Sequence, residues 1–131
     1  MKTLLNILLV TALQAAGPVV TPLGRHDTTA SGQPIEPPAV AIVSAFITEL
    51  APGAVFPEHR HPYQRFTYVL AGQLRVENLD TGQIYELKAG DVFIEPRGQW
   101  HRGTVIGAET VRMFAVDQTP DGASNVERRQ N

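Results

Sequence analysis

The sequence predicts an all-β fold, either a small sandwich or an antiparallel barrel. Short apolar segments rich in Val, Ile, Phe and Tyr recur along the 131 residues, and clusters containing Gly or Pro separate them. Turn signals at intervals of roughly 8 to 12 residues are typical of such folds. No helical periodicity is convincing after residue 17. One hydrophobic core built from β-strands is therefore expected.

Length and composition indicate a single soluble domain. A chain of 131 residues is too short for two ordinary domains, and 43% hydrophobic with 18% charged residues is typical of a globular protein. The net charge of −2, from 11 basic and 13 acidic residues, argues against nucleic acid as a partner. The absence of cysteine excludes disulfides, zinc–thiolate sites and cysteine nucleophiles.

The N-terminus has the pattern of a secretory signal peptide, predicted over residues 1–17. Lys2 provides a basic start, residues 4–13 are apolar apart from Asn6, and small residues follow. A buried N-terminal helix is the alternative. The apolar run is shorter than the about 20 residues that span a bilayer, so no membrane association is expected after cleavage. The predicted location is the periplasm or the exterior.

The rest of the chain divides into an arm, a barrel and a tail. Residues 18–38 are rich in Gly, Pro, Thr and Ser and form an arm, with at most one edge strand at 19–23 and a segment at 28–34 that could pair onto a sheet edge. The barrel is predicted over 39–117. Residues 118–131 are polar without periodicity, and a loose tail is expected there.

Eight strands are predicted within the barrel. They cover 40–50, 55–61, 66–71, 73–78, 84–87, 92–95, 100–105 and 110–117. Alternation is clearest in the fourth, where Leu74 and Val76 share one face and Arg75 and Glu77 share the other.

Three of the four histidines lie in two of these segments. His59 and His61 are two residues apart, so a strand directs both side chains to one face. His101 follows the turn that contains Pro96 and Gly98. His26 lies in a polar loop and is interpreted as solvated. Neutral imidazole is a common ligand of divalent metals, so the first three histidines are candidate ligands.

These two segments resemble the paired motifs of the cupin family. The first motif, G-x5-H-x-H-x3,4-E-x6-G, is matched by Gly53, His59, His61 and Gly72, and the second, G-x5-P-x-G-x2-H-x3-N, by Gly90, Pro96, Gly98 and His101. The chain departs from them at Arg65, where the family has glutamate, and at Val105, where it has asparagine.

The resemblance implies a single cupin domain, a jelly-roll-like antiparallel barrel with a metal ion inside its mouth. Fe(II) is the favoured ion, and Mn, Zn, Ni and Cu are the alternatives. It implies a metal-dependent enzyme acting on a small molecule, with dioxygenase chemistry as the most concrete version. An isomerase or lyase and a non-catalytic binding or sensing protein are the alternatives. Small cupins are often dimers, so a homodimer is a further expectation.

Three neighbours of the histidine pair complete the candidate site. Arg65 either turns outward to a surface carboxylate, the favoured interpretation, or faces the cavity and holds an anionic substrate. Gln64 could supply a fourth metal ligand if a bulge after Pro62 turned its amide inward. Tyr63 could act as a general acid or base, although a packed aromatic is the simpler interpretation.

Other polar and aromatic residues are assigned structural roles. Glu58 should face away from the histidines, and Glu95 is interpreted as a surface charge at a strand end. Four aromatic residues are expected in the core or the cavity wall: Phe66, Tyr68, Phe93 and Trp100.

Overall fold

The computed structural model describes residues 17–121 and 123–130. The predicted signal peptide falls almost entirely outside this part of the chain. The described residues form strands and no helix, and they include no helix that is long and apolar enough to cross a membrane. The strands are β1 (Ile42–Leu50), β2 (Val55–Arg60), β3 (Arg65–Ala71), β4 (Gln73–Asn78), β5 (Ile84–Lys88), β6 (Val92–Ile94), β7 (His101–Ile106), β8 (Val111–Thr119) and β9 (Glu127–Arg128).

The strands form two antiparallel sheets that face each other. One sheet has the order β1-β8-β3-β6, and the other has the order β5-β4-β7-β2-β9. β1 pairs with β8 along its whole length, from Ile42 opposite Thr119 to Leu50 opposite Val111. This architecture confirms the predicted all-β, jelly-roll-like barrel.

Alternation along the strands places an apolar core between the sheets. In β4, Leu74 and Val76 are buried whereas Arg75 is exposed, as their sequence pattern predicts. Val69 and Val111 are completely buried and meet this cluster from the other sheet. Burial of apolar area at roughly 25 cal/mol per Å² makes this core the main source of stability.

Gly72 allows a tight connection between β3 and β4. Its φ of 76° lies in the left-handed region, and a Cβ here would lie 2.8 Å from the Thr110 carbonyl oxygen and 2.9 Å from Val111 Cα. Glycine is therefore required by both conformation and space.

The N-terminal arm lies against the edge of the four-stranded sheet. Residues 19–23 form no strand, contrary to one expectation. Thr28 and Pro34 form an isolated bridge, and the Ala30 N–H donates to the Ile94 carbonyl at 2.8 Å. The expected pairing of this segment onto a sheet edge is therefore observed, at β6.

The C-terminal segment is ordered where a loose tail was expected. β8 continues to Thr119, and Glu127 and Arg128 pair with Arg60 and His59 as an added strand. This pairing uses backbone groups of β2 that lie at the sheet edge. Such an attachment needs no apolar periodicity, which is why composition alone predicted a loose tail here.

Candidate metal centre

A bulge in β2 orients the histidine pair. Phe56 pairs with Gly103 and His59 pairs with His101, and the register shifts between these two positions. Phe56 and His59 therefore both line the cavity, although regular alternation would place them on opposite faces. Bulges commonly redirect side chains beside functional sites. His61, just beyond β2, lies on the same side as His59.

The barrel brings all three predicted histidines together. His101, the first residue of β7, lies directly opposite His59, and their ring centroids are 4.4 Å apart. The His61 ring lies 4.9 Å from that of His59 and 5.1 Å from that of His101. One nitrogen from each ring lies within 4.8 Å of the others, a spacing that suits one shared ion.

Backbone carbonyl groups fix the orientation of each imidazole. The Nδ1 atoms of His59, His61 and His101 donate to the carbonyls of Pro57, Asn125 and Gln99, at 2.7, 2.7 and 2.9 Å. This leaves every Nε2 for the centre of the cluster. Histidine ligands of metals are usually held in this way by a hydrogen bond to the other ring nitrogen.

The electrostatics of the cluster fit a cation. Burial, and then the neighbouring His101, lower the pKa of His59 to about 4, so this ring is neutral at pH 7 and has a lone pair to share. The buried Nε2 of His101 makes no hydrogen bond among the described residues. An unsatisfied buried nitrogen is costly, and a divalent ion would satisfy it. The residues present therefore fit a divalent metal ion.

Glu95 lies at this cluster, and its interpretation as a surface charge was wrong. Its side chain is only 12% exposed, and Oε2 lies 2.9 Å from the Nε2 of His61 and 3.5 Å from that of His101. Burial alone would raise the pKa of Glu95, but His61, His101 and Arg65 outweigh it and hold the pKa well below its ordinary range. The same carboxylate raises the pKa of His101 against the effect of burial.

Arg65 faces the cavity, contrary to the favoured outward interpretation. Its Nε and Nη2 atoms donate to the two carboxylate oxygens of Asp117 at 2.6 and 2.7 Å. Its Nη1 lies 3.3 Å from His61 Nε2. The physical reason is Asp117 on β8, directly opposite Arg65 in the sheet, which provides an internal partner for the charge. Arg65 therefore lies beside the histidines, but Asp117 compensates most of its positive charge.

Gln64 and Tyr63 do not join the histidines. Both line a second pocket, whereas the cavity that contains the histidines is lined by neither. Gln64 is buried, and its amide nitrogen lies 3.3 Å from the carbonyls of Arg65 and Glu95. Gln64 as a metal ligand and Tyr63 as an acid or base are therefore corrected. Both residues lie in the loop between β2 and β3, where they line the second pocket together with Pro62 and Arg97.

The aromatic residues divide between the two faces of the sheets. Phe93 is buried in the core as expected. Phe66 and Tyr68 alternate with the inward Arg65 and Thr67 and so face outward, which corrects their assignment to the core or the cavity wall. The guanidinium groups of Arg60 and Arg129 lie over the Trp100 ring, with their Cζ atoms 4.8 and 5.0 Å from a ring centroid.

The histidines open into a cavity of about 450 Å³ between the sheets. Most of its remaining wall is apolar, formed by Phe46, Phe56, Leu74, Val76, Leu87, Phe93, Met113 and Ala115. Polar groups concentrate at one place, where His59, His61, His101, Arg65, Glu95 and Asp117 meet. An apolar pocket with a few convergent polar groups is the usual form of a small-molecule site.

Sequence reasoning missed three contributors to this site. Glu95, Asp117 and Asn125 come from segments distant in the chain from the histidine pair. Only Glu95 carried a signal, because it immediately precedes Pro96 within the second motif. Asp117 and Asn125 come close to the histidines only because β8 pairs with β3 and β9 pairs with β2.

Comparison with protein families supports the motif assignment. The family model described as the cupin domain matches residues 46–117, which include all three histidines. No protein of curated function matches the sequence significantly.

Similar solved structures share the fold. The polyketide cyclase RemF from Streptomyces resistomycificus is 23% identical with a TM-score of 0.57, over 69% of this chain and 62% of that one. An oxalate oxidase solved with the substrate analogue glycolate is 28% identical with a TM-score of 0.52, over 59% of this chain and 42% of that one. A double-stranded β-helix protein from Klebsiella pneumoniae is 26% identical with a TM-score of 0.54, over 68% of this chain and 76% of that one. The chain thus spans less than two thirds of the length of the first two.

Proposed function

This chain belongs to the cupin domain family, and on that premise we propose that it is a metal-dependent enzyme acting on a small molecule. The observation that supports this most is the convergence of three imidazoles at the wall of an apolar cavity of about 450 Å³. Such a volume suits one small ligand inside a barrel.

His59, His61 and His101 would hold the ion through their Nε2 atoms, since each Nδ1 donates to a carbonyl. Fe(II) is the favoured metal, with Mn, Zn, Ni and Cu as alternatives. When bound, such an ion supplies Lewis-acid or redox chemistry at its open coordination positions.

The cavity wall favours a substrate with an apolar body and one anionic end. The aromatic and aliphatic wall holds the body and keeps water away from the reacting end. Of the Arg65 nitrogens, Nη1 is not used by Asp117 and lies beside the histidines, where it can orient a carboxylate. A carboxylate should therefore bind more tightly than its neutral amide.

Dioxygen-dependent oxidation of that molecule is the reaction that we favour. Three histidines leave positions for two reactants, and the 28% identity to an oxalate oxidase favours oxygen chemistry on a small acid. Isomerase and lyase chemistry would use the same residues. A non-catalytic binding protein is the alternative from a different functional class.

The test combines metal analysis with oxygen uptake. The purified mature protein should contain about one divalent metal ion per chain, and with Fe(II) it should consume oxygen with at least one member of a panel of carboxylates, diketones, thiols and phenols. Metal binding with no turnover of any kind, including isomerisation or elimination, would favour the binding protein. An absence of metal binding would contradict the proposal.

A matched pair of variants gives the control. His101→Ala should lose most of the metal, because two imidazoles remain from the set of three. His26→Ala should retain it, since His26 is exposed and lies in the N-terminal arm. Equal metal content in both variants would contradict the three-histidine site.

Location and assembly are further parts of the proposal. The N-terminal pattern supports a secreted or periplasmic protein. A homodimer, implied by the resemblance to small cupins, stays a prediction that sedimentation velocity on the mature protein will check.

A further inference from the structure

We propose that Glu95 supplies the fourth protein ligand of the metal centre, in place of the glutamate that the first family motif has at position 65. This inference rests on the proposed function, because it concerns the same centre. Glu95 occupies a variable position of the second motif, the residue immediately before Pro96. Motif matching alone therefore does not assign it to the metal.

The distances around Glu95 come close to those of ligands that share an ion. Two atoms bound at about 2.1 Å to one ion, at angles of 90–109°, lie roughly 3.0–3.4 Å apart. Glu95 Oε2 lies 2.9 Å from His61 Nε2 and 3.5 Å from His101 Nε2. The carboxylate oxygen thus lies about as far from these two nitrogens as a second ligand of the same ion would.

Neighbouring groups hold Glu95 in this orientation. Thr67 donates a hydrogen bond to Oε1, which directs the other oxygen, Oε2, to the histidines. The amide nitrogen of Gln64 lies 3.3 Å from the Glu95 carbonyl and helps to fix the backbone. Pro96 is fully buried directly after it. Supporting contacts of this kind typically orient metal ligands.

Charge balance points to the same residue. Three neutral imidazoles leave the full double charge of a divalent ion in a largely apolar cavity, and Arg65 adds a further positive charge nearby. Asp117 compensates Arg65 through both carboxylate oxygens. Glu95 is then the acidic group placed to compensate the ion, and buried charge without a partner is strongly unfavourable.

The experiment compares Glu95→Gln with the wild type and with Glu86→Gln. Glu86 is a β5 residue whose side chain is 60% exposed, so its variant controls for the loss of one carboxylate. Zn(II) and Co(II) affinities are measured by chelator competition, and the Co(II) absorption spectrum reports the ligand set. Urea unfolding of each metal-free variant checks that it is folded.

The expected result is at least about a tenfold loss of affinity in Glu95→Gln, with an altered Co(II) spectrum, and wild-type behaviour in Glu86→Gln. Wild-type affinity, or weaker affinity with an unchanged spectrum, would place Glu95 outside the coordination sphere and overturn the inference. If Glu95→Gln does not fold, Glu95→Asp is measured in its place. Its side chain keeps the negative charge, but it is one methylene group shorter, so the carboxylate oxygen lies farther from the centre. An unchanged spectrum there would likewise overturn it.

Failure of the proposed function has a different outcome. If the wild-type protein itself binds neither ion, the metal centre is wrong. If the wild type binds and Glu95→Gln binds identically, only the role of Glu95 is wrong.

Discussion

Arg65 and Asp117 form an ion pair inside the barrel, with side chains only 12% and 9% exposed. Both carboxylate oxygens accept hydrogen bonds, and the guanidinium also lies 5.0 Å from the Phe46 ring centroid. In a medium of low polarity, each member of such a pair depends on the other. The pair therefore sets the charge beside the histidines and also bears on stability.

Asp117→Asn is predicted to lower the free energy of unfolding by about 3 kcal/mol, because it leaves the Arg65 charge buried without its partner. Glu86→Gln, which removes one partner of the exposed Arg75–Glu86 pair, should have a much smaller effect, because solvent screens that pair. Urea unfolding of the metal-free proteins measures both. Equal effects would show that the Arg65–Asp117 pair is not buried in solution.

The three histidines of the candidate metal centre were predictable from sequence, but their acidic and basic neighbours were not. The H-x-H spacing and the position of His101 are local features that strand geometry and the motifs interpret directly. Arg65 was assigned outward and Glu95 to the surface, because the partners that hold them inside lie in other strands. Asp117 is 52 residues from Arg65, and Glu95 is 34 residues from His61.

At the scale of elements, β9 links the C-terminus to the metal centre. The Asn125 carbonyl just before this strand accepts the Nδ1–H of His61, and Val126 lines the cavity. Arg129 continues the attachment through Glu58 at 2.8 Å. The C-terminal segment therefore positions a candidate metal ligand as well as extending a sheet.

A chain that ends at Ala123 should bind the metal about 10- to 100-fold more weakly, because His61 loses the carbonyl that orients it. A chain that ends at Arg129 keeps Asn125 and β9 and should bind as the full chain does. Chelator competition with Zn(II) compares them. Undiminished affinity in the shorter chain would refute the positioning role of this segment.

The turns give a second prediction at this scale. Gly72 and Gly82 have nearly the same φ, 76° and 75°, but a Cβ at Gly82 would meet nothing within 4 Å. Gly82→Ala should cost about 1 kcal/mol for the left-handed conformation alone. Gly72→Ala should cost about 2 kcal/mol more, since its methyl group meets the backbone of Thr110 and Val111. Urea unfolding tests this order, and equal losses would contradict it.

The strands were largely predictable from sequence, because period-2 alternation and turn residues are local signals. β4 occurs at the predicted residues, and most other strand bounds differ by one or two positions. The bulge in β2 and the short β9 were not predicted. Both depend on which strand lies alongside, information that alternation within one segment does not contain.

At the scale of the whole molecule, the predicted signal peptide would determine where the protein works. We expect the mature chain to begin near residue 18 and to occur in the periplasm or the medium. Cell fractionation with intact-mass measurement checks this. A full-length mass confined to the cytoplasm would contradict the predicted export without affecting the metal centre.

The barrel as a whole brings β2, β7 and the end of β6 to one side of a single cavity. For the proposed function, this arrangement must bind one divalent ion. The most direct measurement is anomalous diffraction from crystals of the metal-loaded mature protein. We predict one strong peak per chain, about 2.0–2.2 Å from the Nε2 atoms of His59, His61 and His101. Histidine rings that point away from one another, or a metal peak at another place in the molecule, would contradict the proposed metal centre.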